Sequence, residues 1–184
     1  MKKKEKFSKL FSKSNSINIL SASRVFLFGA RDIWFVVGVP IFFYDKLSWS
    51  FTEVGSFMAS WIIFYGIIQS LAPKLLKIFY GNNFSENEQA FIWAIKLLLI
   101  IACLGILSYT YDYNGYLICM GLFLFGFIFA INSSIHSYLI LALAKKNDVT
   151  LDVGFYYMAN AMGRLLGCIT VSYTHLRAHE TDRY

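Results

Sequence analysis

The chain has 184 residues, of which 57% are apolar and 18% aromatic but only 15% charged, against about 25% charged in an ordinary soluble domain. That balance excludes an ordinary soluble domain and places the chain in a membrane. The net charge of +6 does not point to nucleic acid, because the first thirteen residues hold six lysines and one glutamate and so carry most of it in one local arm, with no nucleic-acid motif beside it.

The arm, residues 1–16, reads as cytoplasmic by the positive-inside rule and lacks the apolar core and cleavage site of a signal peptide. Phe7, Leu10 and Phe11 fall on one helical face there, which suits an interfacial segment. The apolar runs that follow are near twenty residues long, twice what a barrel strand needs, and so predict α-helices. They occupy about 17–44, 54–72, 90–109, 116–144 and 153–170, with Pro73 expected to stop the second. The expected fold class is therefore an all-α, polytopic transmembrane bundle of four complete spans and part of a fifth. Lysines in the flanking loops place the loops around 73–89 and 145–152 on the same side as the arm, and Trp49, Tyr109, Tyr111, Tyr113 and Tyr116 in the opposite interfacial belt.

Within the first span, VFLFGARDIWFVVGVPIFFY, Arg31 and Asp32 stand side by side. Charge at that depth is costly, so both should face protein or a water-filled cavity. Arg24 lies two helical turns before Arg31 on the same face, and together they could attract an anion; the plainer reading is an Arg31–Asp32 pair joining neighbouring helices. Pro40 removes a backbone donor and, with Gly38 near it, predicts a kink suited to gating. In the second span Trp61, Tyr65 and Gln69 recur every four residues, a stripe best read as interhelical hydrogen bonding. Lys96 reads as a snorkelling lysine. In the fourth, Asn132 and His136 share a face beside Ser133 and Ser137, as a polar or proton relay or as glue between helices. The spacing of Ser134 and His136 does not suit a hydrolase.

The fifth segment carries two stripes. Ala159, Gly163 and Gly167 form a small-residue seam for close helix contact, and Tyr156, Asn160 and Arg164 form a polar stripe beside it. Cys103, Cys119 and Cys168 read as small core residues; no metal, cofactor or enzymatic constellation is implied. After Ile169 the pattern changes abruptly, and VSYTHLRAHET, residues 171–181, reads as a translated frame of a transposase adapter used in sequencing libraries. The expectation is that 171–184 are not native, that the natural protein continues past Ile169, and that His175 and His179 are not ligands. Met1 is likewise expected to lie inside a longer gene.

The strings SASRVFLFGARDIWFVVGVPIFFY, LSWSFTEVGSFMASWIIFYGIIQSLAPKLL, FAINSSIHSYLILA and LDVGFYYMANAMGRLLG resemble, in order, the C-terminal half of organoarsenical efflux transporters of the major facilitator superfamily. The resemblance implies helices seven to eleven of a twelve-helix bundle in the cell membrane, with the basic arm as the cytoplasmic linker between halves. It implies a missing N-terminal half as partner and an anionic substrate, 1-arseno-3-phosphoglycerate, made by glyceraldehyde-3-phosphate dehydrogenase from arsenate. APKLLK at 72–77 departs from the Gly, Asp and Arg-rich signature common between facilitator helices. On chemistry, Arg31, Arg164, Arg24, Asn160 and Tyr156 are the candidate substrate contacts, with Asp32 balancing charge. The alternatives are a facilitator for another anionic or drug-like solute and a structural membrane subunit.

Overall fold

The computed structural model describes residues 14–81, 85–110, 115–144 and 149–181, with side chains up to 173 apart from those of 86 and 110. Residues 1–13 of the basic arm and the tyrosines at 111 and 113 lie outside these residues, as do the side chains of His175 and His179. Every element described is helical: α1 (Asn15–Arg31), a π-helical segment (Asp32–Gly38), α2 (Val39–Leu47), α3 (Phe51–Tyr80), α4 (Glu86–Thr110), α5 (Gly115–Leu143) and α6 (Val149–Thr181). Four helices are long and apolar enough to cross a membrane: the continuous Asn15–Leu47, Phe51–Tyr80, Asn87–Tyr109 and Gly115–Leu143. The chain is thus an all-α, multi-pass membrane protein. Helix α6 falls short of the same apolarity, because Asp152, Asn160 and Arg164 interrupt it.

Two expected helix ends are corrected. Pro73 does not stop its helix, which runs on to Tyr80, so Lys74 and Lys77 are helical and not in a loop. The proline sits in an exposed turn where its ring can be accommodated with little more than a missing donor. Helix α6 continues through Thr181 with no break at 170. In the first span a widened π turn precedes Pro40: the Val39 amide donates to the Trp34 carbonyl, five residues back. A π turn inserts one extra residue and so shifts the ladder ahead of the proline. Between α2 and α3, Ser50 and Glu53 form a reciprocal capping box that starts α3.

Two compact units are built from these helices, one of Met1–Ile41 with Ile140–Tyr184 and one of Phe42–Leu139. In the first, the buried residues of α6 are Asp152, Tyr156, Ala159, Gly163 and Gly167, a single stripe at helical spacing, and those of α1 include Ser21, Arg24, Phe28 and Gly29. The two stripes meet at their glycines. A Cβ on Gly163 would lie 2.8 Å from Val25 Cα, one on Gly29 would lie 2.9 Å from the Gly163 carbonyl oxygen, and one on Gly167 would lie 2.7 Å from the Gly29 carbonyl oxygen. The expected seam is real, and Gly29 is its counterpart on α1. Such backbone contact gives dispersion along the whole crossing, which is how helices associate where lipid removes the hydrophobic drive.

In the second unit aromatic rings do the packing. Phe43 stacks on Trp49 at 4.4 Å and meets Phe57 edge-on at 4.9 Å, and Phe57 and Phe64 both meet Phe123. Of the α3 stripe, Trp61 makes the expected interhelical bond: buried, it donates through Nε1 to the Leu122 carbonyl at 2.8 Å, in a space that Gly126 leaves open, while Tyr65 stacks on the Trp61 ring. At Gln69 the backbone carbonyl, not the side chain, accepts from Ser134 Oγ at 3.4 Å. Cys103 and Cys168 are exposed on outward helix faces and Cys119 is half-buried, so the expectation of core cysteines is corrected: an outward face in an apolar helix meets lipid and takes a thiol as readily as a methyl group.

The glycine contact predicts a contrast within one helix. Gly163→Ala forces Val25 away and should lower stability by about 1–3 kcal/mol, whereas Gly154→Ala, with open space around it, should be neutral or raise it by up to about 1 kcal/mol through helix propensity. Thermal unfolding of both variants in one detergent measures the difference.

Candidate functional site

The first unit gathers five of the ionisable side chains on α1, the π segment and α6: Arg24, Arg31, Asp32, Asp152 and Arg164. Asp32 is at their centre and is 1% exposed. Its Oδ1 accepts from Arg31, through Nε at 2.7 Å and through Nη2, and its Oδ2 accepts from Arg164 Nε at 2.9 Å. A carboxylate buried to this degree requires such partners, since charge without them is strongly disfavoured in an apolar interior. The pairing joins α6 to the start of the π segment, and Gly167, whose absent Cβ would lie 3.4 Å from Asp32 Cβ, lets the two backbones come close enough for it.

Arg24 and Arg31 share a third element that sequence reasoning missed. The Phe28 ring, buried between them in sequence, has the Arg24 guanidinium carbon 4.1 Å and the Arg31 guanidinium carbon 4.7 Å from its centroid. Arg24 is also 5.1 Å from the centroid of Tyr156 on α6. Ring faces carry negative quadrupole charge and attract a guanidinium, by about 2 kcal/mol or more where water is excluded. The signal for Phe28 was present in the spacing, four residues after Arg24 and three before Arg31. Asp152 was missed too; it is 5% exposed, one helical turn before Tyr156 on the same face. Counting it, the described side chains of the unit include three arginines against two aspartates, so one positive charge is left over among them.

Of the residues expected from sequence, Arg24, Arg31, Asp32, Tyr156, Asn160 and Arg164 all lie in this unit. Tyr156 is fully buried, and Asn160 Oδ1 is buried with no hydrogen-bond partner among the described residues. Arg164 differs from the other two arginines. Its side chain is 57% exposed, Asp32 takes only its Nε, and its two terminal nitrogens carry no bond among the described residues. A guanidinium held at Nε presents the other edge of its fork, the edge that binds carboxylate or phosphate oxygens in pairs.

Asn132 and His136 belong to the second unit. Both are buried on α5, as are Ser133 and Ser134, and both polar atoms of the Asn132 amide lack partners among the described residues. Pro40 follows the π segment and is half-buried. Among the described residues no group of three or more His, Cys, Asp or Glu side chains is placed to hold a metal ion. Comparison of the chain with models of protein families, with curated proteins and with solved structures finds no match.

Asp32 should therefore be the most sensitive charge in the unit. Asp32→Asn leaves Arg31 and Arg164 without their counter-ion and should cost about 3–5 kcal/mol, whereas Arg164→Gln should cost well under half of that, because the lost pair is open on the Arg164 side. Unfolding of the two single variants and the double variant gives the coupling between them directly; a coupling near zero is inconsistent with the ion pair.

Proposed function

We propose that this chain forms part of a membrane exporter for a small organic anion, with Arg31, Arg164 and Arg24 attracting the substrate and Asp32 holding two of them in place. The observation that carries the reading is the free terminal edge of Arg164, backed by the surplus positive charge among the unit's described side chains. An exposed guanidinium on a helix packed against a membrane span needs water, an anion or protein opposite it. The organoarsenical transporters that the quoted strings resemble narrow the substrate to 1-arseno-3-phosphoglycerate, whose phosphate and arsenate oxygens suit a planar fork. On this reading the arm is the cytoplasmic linker of a cell-membrane transporter, a further half-bundle completes the substrate path, and the π turn with Pro40 is where the first span bends between states.

A second reading has an observation of its own. Asp32 satisfies Arg31 and Arg164 together across two helices, which is what a purely structural membrane subunit would use to fix its helix pair. The two readings separate in one experiment. In arsenate-sensitive cells carrying the complete gene, Arg31→Gln with Arg164→Gln should reduce organoarsenical efflux at least tenfold with membrane abundance unchanged. Loss of abundance in proportion to loss of efflux supports the structural subunit, and full efflux at normal abundance refutes an anion site at these arginines.

A further inference from the structure

An ammonium group in an apolar helix needs an anion, water or an aromatic face. Lys96 interrupts the apolar run of α4 six residues after Ala90, about 9 Å along the axis. Helical side chains lean toward the helix N-terminus, and this one does. Its Nζ lies 4.1 Å from the centroid of the Trp93 ring, three residues earlier, and donates to the Tyr80 hydroxyl at 3.4 Å. Tyr80 is the last residue of α3, so the charge is carried back to the level at which that helix ends. Trp93 is itself fixed, 4% exposed and packed near Phe127.

The ammonium group has three donors, of which Tyr80 takes one over a long distance. Among the described residues no carboxylate lies within ion-pair distance of Lys96. Glu88, eight residues before Lys96 on the same helix, is exposed. Lys77 and Lys74 stand three and six residues before Tyr80, in one row on the last turns of α3, and both are exposed. Among the described side chains three lysines thus stand at this end against Glu88. Around Lys96 the outward surface of α4 is apolar, with Ile92, Ile95 and Leu99 all exposed.

We propose that Tyr80, Trp93 and Lys96, with Lys77 at the rim, bind the phosphate of an anionic lipid headgroup. The ammonium and the hydroxyl donate to phosphate oxygens, the indole face holds the ammonium in place, and the acyl chains lie along the exposed aliphatic surface of α4. A free phosphate ion makes the same polar contacts but leaves that surface unused, which is why lipid is the assigned source. Basic sites at the ends of membrane helices attract anionic lipid by about 1 kcal/mol per lysine near the surface.

The test uses the full chain in detergent, loaded with phosphatidylglycerol or phosphatidylcholine of identical acyl chains, and counts retained lipid by native mass spectrometry. The expected result is preferential retention of phosphatidylglycerol, a preference that falls about fivefold in Lys96→Gln, survives in Lys96→Arg, and weakens in Tyr80→Phe, which removes only the hydroxyl. Lys96→Gln should unfold at the wild-type temperature in phosphatidylcholine alone, which separates the site from the fold. If Lys96→Gln does not accumulate, the Tyr80→Phe result decides. An unchanged preference in the variants overturns the proposal, and so does displacement of phosphatidylglycerol by millimolar inorganic phosphate, which would identify a site for the free ion.

Discussion

Backbone contact between α1 and α6 at Gly29, Gly163 and Gly167 is the constraint on which the first unit depends. An added methyl group at any of the three would meet backbone atoms of the opposite helix, and helix backbones cannot yield without losing their own hydrogen-bond ladders. Only at that separation can Arg164 Nε reach Asp32 at 2.9 Å and Tyr156 lie beside Arg24. Packing and electrostatics are therefore one feature here: the small-residue seam sets the distance, and the neighbouring polar stripe uses it. Association without a hydrophobic drive rests on van der Waals contact of this kind and on interhelical polar bonds, and the pair supplies both.

The π segment has a comparable role along the first span. Asp32 begins it and Gly38 ends it, two residues before Pro40. The wider turn shifts the ladder ahead of the proline, so the missing amide falls within an already altered pattern and the helix continues to Leu47 without a break. π turns cluster at functional positions because they aim a side chain differently from an α turn, and here the first residue of the turn is the buried carboxylate. The geometry places the least forgiving charge of the unit next to its least regular backbone.

The two units handle cations by different means. In the first, arginines are spread over one carboxylate and two aromatic rings, and Phe28 serves two guanidinium groups at once. In the second, Lys96 meets an indole face and a phenol with no carboxylate in reach among the described residues. The difference follows from chemistry: a planar guanidinium can stack on a ring and still give its edges to oxygen, while an ammonium group is compact and keeps most of its donors for water, headgroups or ligands.

The helical class, the number of apolar runs, the small-residue seam of α6 and the intramembrane charges were legible in the sequence, because run length and helical periodicity report which faces must avoid or accept a polar neighbour. Burial of Asp32 was legible for the same reason, since a charge at that position had to find protein. What the sequence left open was decided by tertiary structure. Arg31 and Arg164 are 133 residues apart in the chain, and nothing local says that both point at one carboxylate. Gly29 looks like an ordinary member of an apolar run until Gly163 is brought against it. Pro73 was read as a stop because local preference favours one, but a proline removes only one donor, and the flanking turns of an apolar helix retain the rest. Sequence determined which groups needed partners and set Arg31 beside Asp32 and Phe28 between two arginines; the approach of α1 to α6 decided that Arg164 and Tyr156 join them, because ion pairs and ring contacts act over a few ångströms while the chain separates those members by whole helices.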